Sequence, residues 1–151
     1  MGYAQEFLLD IALDHLSLGR AYLLQAQEEE TADFSKAAEH LDQAVDGLRK
    51  SGQQQELPRG LLARADLHLA RKDFDRAKHD LDDAMTIATR GAMGLHQADA
   101  HLEYARLHLA TGETKKARES LAKAKEMIDR MGYHRRDKDV KELEDRLSGN
   151  G

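Results

Sequence analysis

Apolar residues recur along this chain at three- and four-residue intervals, and the arrangement itself repeats. Within Asp73 to Ala84 the frame is Ala77, Leu81 and Ala84, and the same frame returns as Ala37, Leu41 and Ala44 and as Ala117, Leu121 and Ala124. The shift is 40 residues each way (77−37 and 117−77). Helical spacing inside a unit that recurs every 20 to 50 residues, roughly, predicts stacked helix pairs, an all-α solenoid in which each unit buries its apolar face on the next.

The first helix is predicted from about Tyr3 to Glu29. It carries two apolar faces, Leu8, Ile11, Ala12, Leu18, Gly19, Tyr22 and Ala26 on one and Leu9, Leu13, Leu16, Leu23 and Leu24 on the other. Asp33 is expected to cap a second helix that stops near Gly52, and Pro58 suits the first turn of a third. Asp73 caps the fourth, which ends at Gly91 or Gly94; a fifth starts at Leu95 and breaks at Thr111-Gly112, and a sixth ends at Gly132. From Asp137, a narrow stripe of Val140, Leu143 and Leu147 predicts a short terminal capping helix. One domain spanning 1–151 is expected, with repeats at about 3–52, 57–92 and 95–132 and the capping helix at about 137–148.

As helix pairs these units resemble the tetratricopeptide repeat. Leu18, Gly19 and Tyr22, followed by Ala37, Leu41 and Ala44, match that family's signature in the first unit. In the second, Ala65 and His68 stand at the Gly and Tyr positions before Ala77, Leu81 and Ala84; in the third, Ala105 and His108 precede Ala117, Leu121 and Ala124. The period of 40 exceeds the family's usual 34, roughly, and is similar to its elongated members. In the first unit Ala37 also follows Tyr22 by 15 positions (37−22), where the equivalent step in the others is nine (77−68 and 117−108). The resemblance implies a right-handed superhelix of three hairpins whose concave surface is lined by the first helix of each repeat. Carried over position by position, that lining is Leu13, Leu16, Arg20, Leu23 and Leu24; then Arg59, Leu62, Asp66, Leu69 and Ala70; then Asp99, Leu102, Arg106, Leu109 and Ala110.

Such a surface, leucine-rich with a plus, minus, plus series at Arg20, Asp66 and Arg106, suits a protein or peptide partner. In the alternative, the leucines are buried and the three charges pair with one another. A self-associating, homo-oligomeric scaffold using the same apolar surface, or a regulatory repeat domain of a larger signalling protein, are the other readings of function. The carboxylate clamp of chaperone-binding repeats needs concave Asn and Lys, and the only Asn is Asn150. The face that would meet a preceding repeat, Asp14, Ser17 and Ala21, is more polar than its equivalents Gly60, Ala63, Leu67 and Ala100, Glu103, Leu107, as an array start requires.

Composition narrows the classes further. The 28 acidic and 23 basic residues are interspersed and sum to −5, so no basic field favours a nucleic-acid partner. The chain has no Cys, and Asp10 and Asp14 interrupt the only N-terminal apolar run. These features predict a soluble, cytoplasmic protein without signal peptide or membrane insertion. None of the eight His stand three or four apart, so no metal site is expected, and no cofactor. No nucleophile–base–acid set, phosphate loop or pair of carboxylates in an apolar pocket can be placed, so the chain is not expected to be an enzyme. Tyr133-His134-Arg135-Arg136 reads as a small basic corner ahead of the cap.

Overall fold

The structure, a computed structural model, describes residues 2–30 and 33–149, with side chains from Ala4 onward; Asn150 lies outside the described residues. Those residues are all-helical: α1 (Gly2–Glu28), α2 (Ser35–Ser51), α3 (Leu57–Ala70), α4 (Phe74–Arg90), α5 (Gly94–Ala110), α6 (Thr114–Met131) and α7 (Asp137–Gly149). A single 3₁₀ turn, His134–Arg136, precedes α7. None of these helices is long and apolar enough to cross a membrane.

Turn chemistry sets the helix ends. Left-handed backbone occurs at Glu30 after α1 and then at Gly52, Lys72, Ala92, Gly112 and Gly132, the last five spaced 20 residues apart. At four of these ends the same bond closes the helix: Asp73 N–H to His68 O, Met93 to Ala88 and Glu113 to His108, each 2.8 Å, and Tyr133 to Ile128, 2.9 Å. That closure needs one residue at positive φ, which Gly adopts without strain and Lys72 and Ala92 adopt at a cost. The 40-residue repeat is therefore two 20-residue helical units. Gly91 marks the end of α4 for a different reason: its φ is −88°, and an added Cβ would lie 2.5 Å from the Met93 side chain. Asp73 caps α4 through its carboxylate, which accepts from the Arg76 N–H at 3.3 Å. Asp33 stands one residue before the N-cap of α2, Phe34, and accepts from the Ser35 N–H at 3.1 Å.

Consecutive helices pair as α1–α2, α3–α4 and α5–α6, with α2 on α3 and α4 on α5 joining the pairs. The repeated frame is the seam: Ala37, Leu41, Ala44, Ala77, Leu81, Ala84, Ala117, Leu121 and Ala124 are all buried. Small residues allow the close approach. An added Cβ on Gly19 would sit 2.6 Å from Leu41, and one on Gly60 would sit 2.8 Å from Leu48. The first position is closer than its equivalents, since Ala65 and Ala105 carry a Cβ there. Val140, Leu143 and Leu147 of α7 join the cluster of Ala98, Leu102, Ala105 and Leu121, covering the end of the third pair.

Each of the two apolar faces of α1 is covered only in part. Ala12, Leu16, Leu23 and Ala26 are buried, whereas Phe7, Ile11 and Leu18 are 70, 45 and 45% exposed. The position equivalent to Ile11 in the second unit, Leu57, is 1% exposed and shares a cluster with Val45 and Leu48 of α2. No described helix stands before α1 to do the same. Beside the polar Asp14, Ser17 and Ala21, the outer face of α1 thus also presents an apolar stripe, which an N-terminal face chosen for polarity alone would lack.

Candidate functional site

α3 touches both α1 and α5, so the first helices of the three pairs form one continuous side. Across it runs a groove of about 660 Å³. Residues three, four and seven apart share a helix face, and three such sets converge. α1 supplies Arg20, Leu23, Leu24 and Gln27; α3 supplies Arg59, Leu62, Ala63 and Asp66; α5 supplies Leu95, His96, Asp99, Leu102, Glu103 and Arg106. The fourth wall is Tyr133, Arg135 and Arg136 with Asp139 of α7.

Nine of the fifteen expected lining residues meet here: Arg20, Leu23, Leu24, Arg59, Leu62, Asp66, Asp99, Leu102 and Arg106. Leu13, Leu16, Leu69, Ala70, Leu109 and Ala110 do not. Leu16 is a core residue at 2% exposure, Leu13, Leu69, Ala70 and Leu109 are half-buried away from the groove, and Ala110 is exposed. The expectation of a leucine-lined surface also needs correction. Leu23, Leu62 and Leu102 are 6, 8 and 1% exposed, so they form the floor from below, and only Leu24 (60%) and Leu95 (48%) offer large apolar surface. The cause is packing: each leucine stands where its helix meets a neighbouring one, and burying it there removes it from water on both sides. What remains accessible is mainly charge.

Arg20, Asp66 and Arg106 do not pair with one another through contacts. Arg106 donates to Glu103 and, at 2.9 Å, to Asp139. Arg136 binds Asp99 through two hydrogen bonds of 2.8 and 3.3 Å, and the Tyr133 hydroxyl donates to the same carboxylate at 3.1 Å. Burial works against the charge on both guanidiniums. For Arg136 the hydrogen bonds to Asp99 outweigh it, and for Arg106 the charges of Glu103, Asp66 and Asp139 do, so both hold their protons more firmly than usual. Arg59 pairs with Glu56 at 2.9 Å. Arg20 forms no ion pair among the described residues, and Arg135 stacks over the Tyr133 ring with its centre 5.9 Å away.

At the centre, two carboxyl groups face each other. Glu103 is 6% exposed, and its Oε2 receives no hydrogen bond among the described residues. Asp66 of α3 lines the same groove, close enough for its charge to act on Glu103. Burial first, and the neighbouring Asp66 second, push the Glu103 carboxyl well above the usual carboxylate range against the pull of Arg106. Sequence reasoning placed Asp66 in the lining but Glu103 only on the face that packs against the preceding repeat. Its signal was a charged residue at a position occupied by Ala63 in the second unit. Tyr133, Arg135 and Arg136 were visible as a basic corner, with nothing local to tie them to the groove.

Two further polar clusters lie elsewhere. Arg64 and His68 of α3 both contact Asp80 of α4, and His15 Nδ1 meets His40 Nδ1 at 3.0 Å. No group of three metal-ligating side chains occurs among the described residues. The groove lining contains no Ser, Thr, Cys or Lys. No protein-family model, curated protein or solved structure matches the chain.

Proposed function

We propose that this chain is a protein-interaction module of the tetratricopeptide kind, a right-handed solenoid of three hairpins that holds a peptide segment in the groove of α1, α3 and α5. One observation carries the reading: nine residues separated by up to 86 positions in sequence (106−20) converge on one cleft. Its volume of about 660 Å³ is within the range of specific binding sites. Charged side chains over a floor of buried leucines give orientation, and Leu24 and Leu95 give exposed apolar contact at the two sides.

Peptides selected from a random phage-displayed library on the immobilised chain provide the test. The double variant Leu24→Glu and Leu95→Glu changes exposed positions, so its helical circular dichroism is expected to match the parent while it loses at least tenfold in affinity for the selected peptides. Equal binding by parent and variant refutes the groove as the site.

A second reading, self-association, rests on the exposed Phe7, Ile11 and Leu18 stripe of α1. It predicts a mass in light scattering that rises with concentration and falls to that of the monomer in Ile11→Asp. A strict monomer at high concentration excludes it.

A further inference from the structure

We propose that the groove recognises a segment with a single basic side chain, whose ammonium or guanidinium docks between the carboxyls of Asp66 and Glu103. The inference rests on the groove being the binding site and adds the chemistry of the occupant.

The local charge count is the first support. Four carboxyls, Asp66, Asp99, Glu103 and Asp139, line the groove with five guanidiniums, of which only Arg106 and Arg136 contact any of the four. Arg136 is committed to Asp99 and Arg106 to Glu103 and Asp139, so among the described residues no cation contacts Asp66. The second support is independent of charge. Glu103 lies more than nine-tenths buried, lines the groove, and leaves Oε2 without a donor. A buried acceptor in that state costs stability unless something supplies a hydrogen. An incoming ammonium supplies two or three in one group and bonds both carboxyls at once.

The rim limits what surrounds the anchor. Arg20, Arg59 and Arg135 are exposed along the same groove, and Arg20 forms no ion pair among the described residues. Adjacent basic residues in the ligand would meet them at close range, so the anchor is flanked by neutral or acidic residues. A polybasic tail or a nucleic-acid backbone fits neither part of this layout.

The experiment uses the full chain and the groove-dependent peptides defined above, those whose binding is lost in the Leu24→Glu and Leu95→Glu variant. Sequencing is expected to show one Lys or Arg at a common position, depleted of further basic residues on either side. Replacing that residue by Gln in a synthetic peptide, or Asp66→Asn in the protein, is expected to reduce affinity at least tenfold, with Glu103→Gln acting in the same direction. The Asp66→Asn side chain is partly exposed, so circular dichroism and thermal melting establish that it folds. Groove-dependent peptides with no common basic residue, or with affinity unchanged by Asp66→Asn, overturn this inference and leave the groove reading intact. The absence of any groove-dependent peptide overturns both.

Discussion

Arg64 and Asp80 form a two-pronged ion pair, Nε to Oδ2 at 2.8 Å and Nη2 to Oδ1 at 2.9 Å, that joins α3 to α4 across 16 residues of sequence. Asp80 is 2% exposed and also meets His68 Nε2 at 3.4 Å, while Arg64 reaches Asp42 of α2 at 3.3 Å. One buried carboxylate thus holds a hairpin closed and ties it to the preceding pair. Asp80→Ala leaves Arg64 and His68 facing an unfilled space and is expected to cost about 3 kcal/mol, because removing one partner of a buried pair strands the other. Urea denaturation at neutral pH measures it.

The same residue sets an acid limit. Burial alone would raise the Asp80 carboxyl, and the hydrogen bonds from His68 and Arg64 overcome it and hold it below 3.8. A lowered folded value means that the stabilisation is present above the ordinary carboxylate range and is lost as the pH falls through the depressed value. Denaturation followed from pH 5 to about 2 is expected to show a loss of stability in the parent that Asp80→Ala lacks.

Glu103→Gln has the opposite sign. A raised folded value contributes stability below about 4.5 that is lost as the pH rises through the higher value. The groups facing Glu103 are Asp66 from α3 and Arg106 on its own helix, the latter also bound to Asp139 of α7. Gln keeps the shape, removes the titration and adds an amide donor toward Asp66. It is expected to stabilise the chain by about 1 kcal/mol at pH 8, with the gain shrinking toward pH 4. A gain independent of pH would show that Glu103 does not titrate in this range.

Leu81 has no exposed surface and lies between Ala77 and Ala84 in the central seam. Leu81→Ala is expected to cost about 2 to 5 kcal/mol in chemical denaturation, the range for a truncated core leucine. A change below about 0.5 kcal/mol would be inconsistent with the seam as described.

Ala92 and Gly112 occupy the same place in successive 20-residue units, at φ of 52° and 81°. Exchanges there should move stability in opposite directions: Ala92→Gly is expected to gain about 0.5 to 1 kcal/mol by relieving left-handed strain, and Gly112→Ala to lose about 1. Thermal unfolding of the two variants measures both.

The helices, their order and most of their ends follow from the amino-acid sequence alone. Ala77, Leu81 and Ala84 announce a buried seam, Asp73 a cap, Gly132 a stop and Pro58 a first turn, because each acts through the backbone within one or two turns of itself. Nine of the residues that the family resemblance put on the lining fall on the helix faces around the groove. Exposure was not legible in this way. Leu16 and Leu24 belong to one apolar face of α1, yet one is 2% and the other 60% exposed, since coverage depends on the helix lying across that face. Phe7, Ile11 and Leu18 stay in the open for the converse reason: no described helix lies over them. The Asp66–Glu103 pair is the clearest case. Two acids 37 residues apart (103−66) share no local pattern, and the only hint in sequence is the charge of Glu103 where the preceding unit has Ala63. Tertiary packing brings them to one groove, buries Glu103 there and leaves its Oε2 without a donor among the described residues.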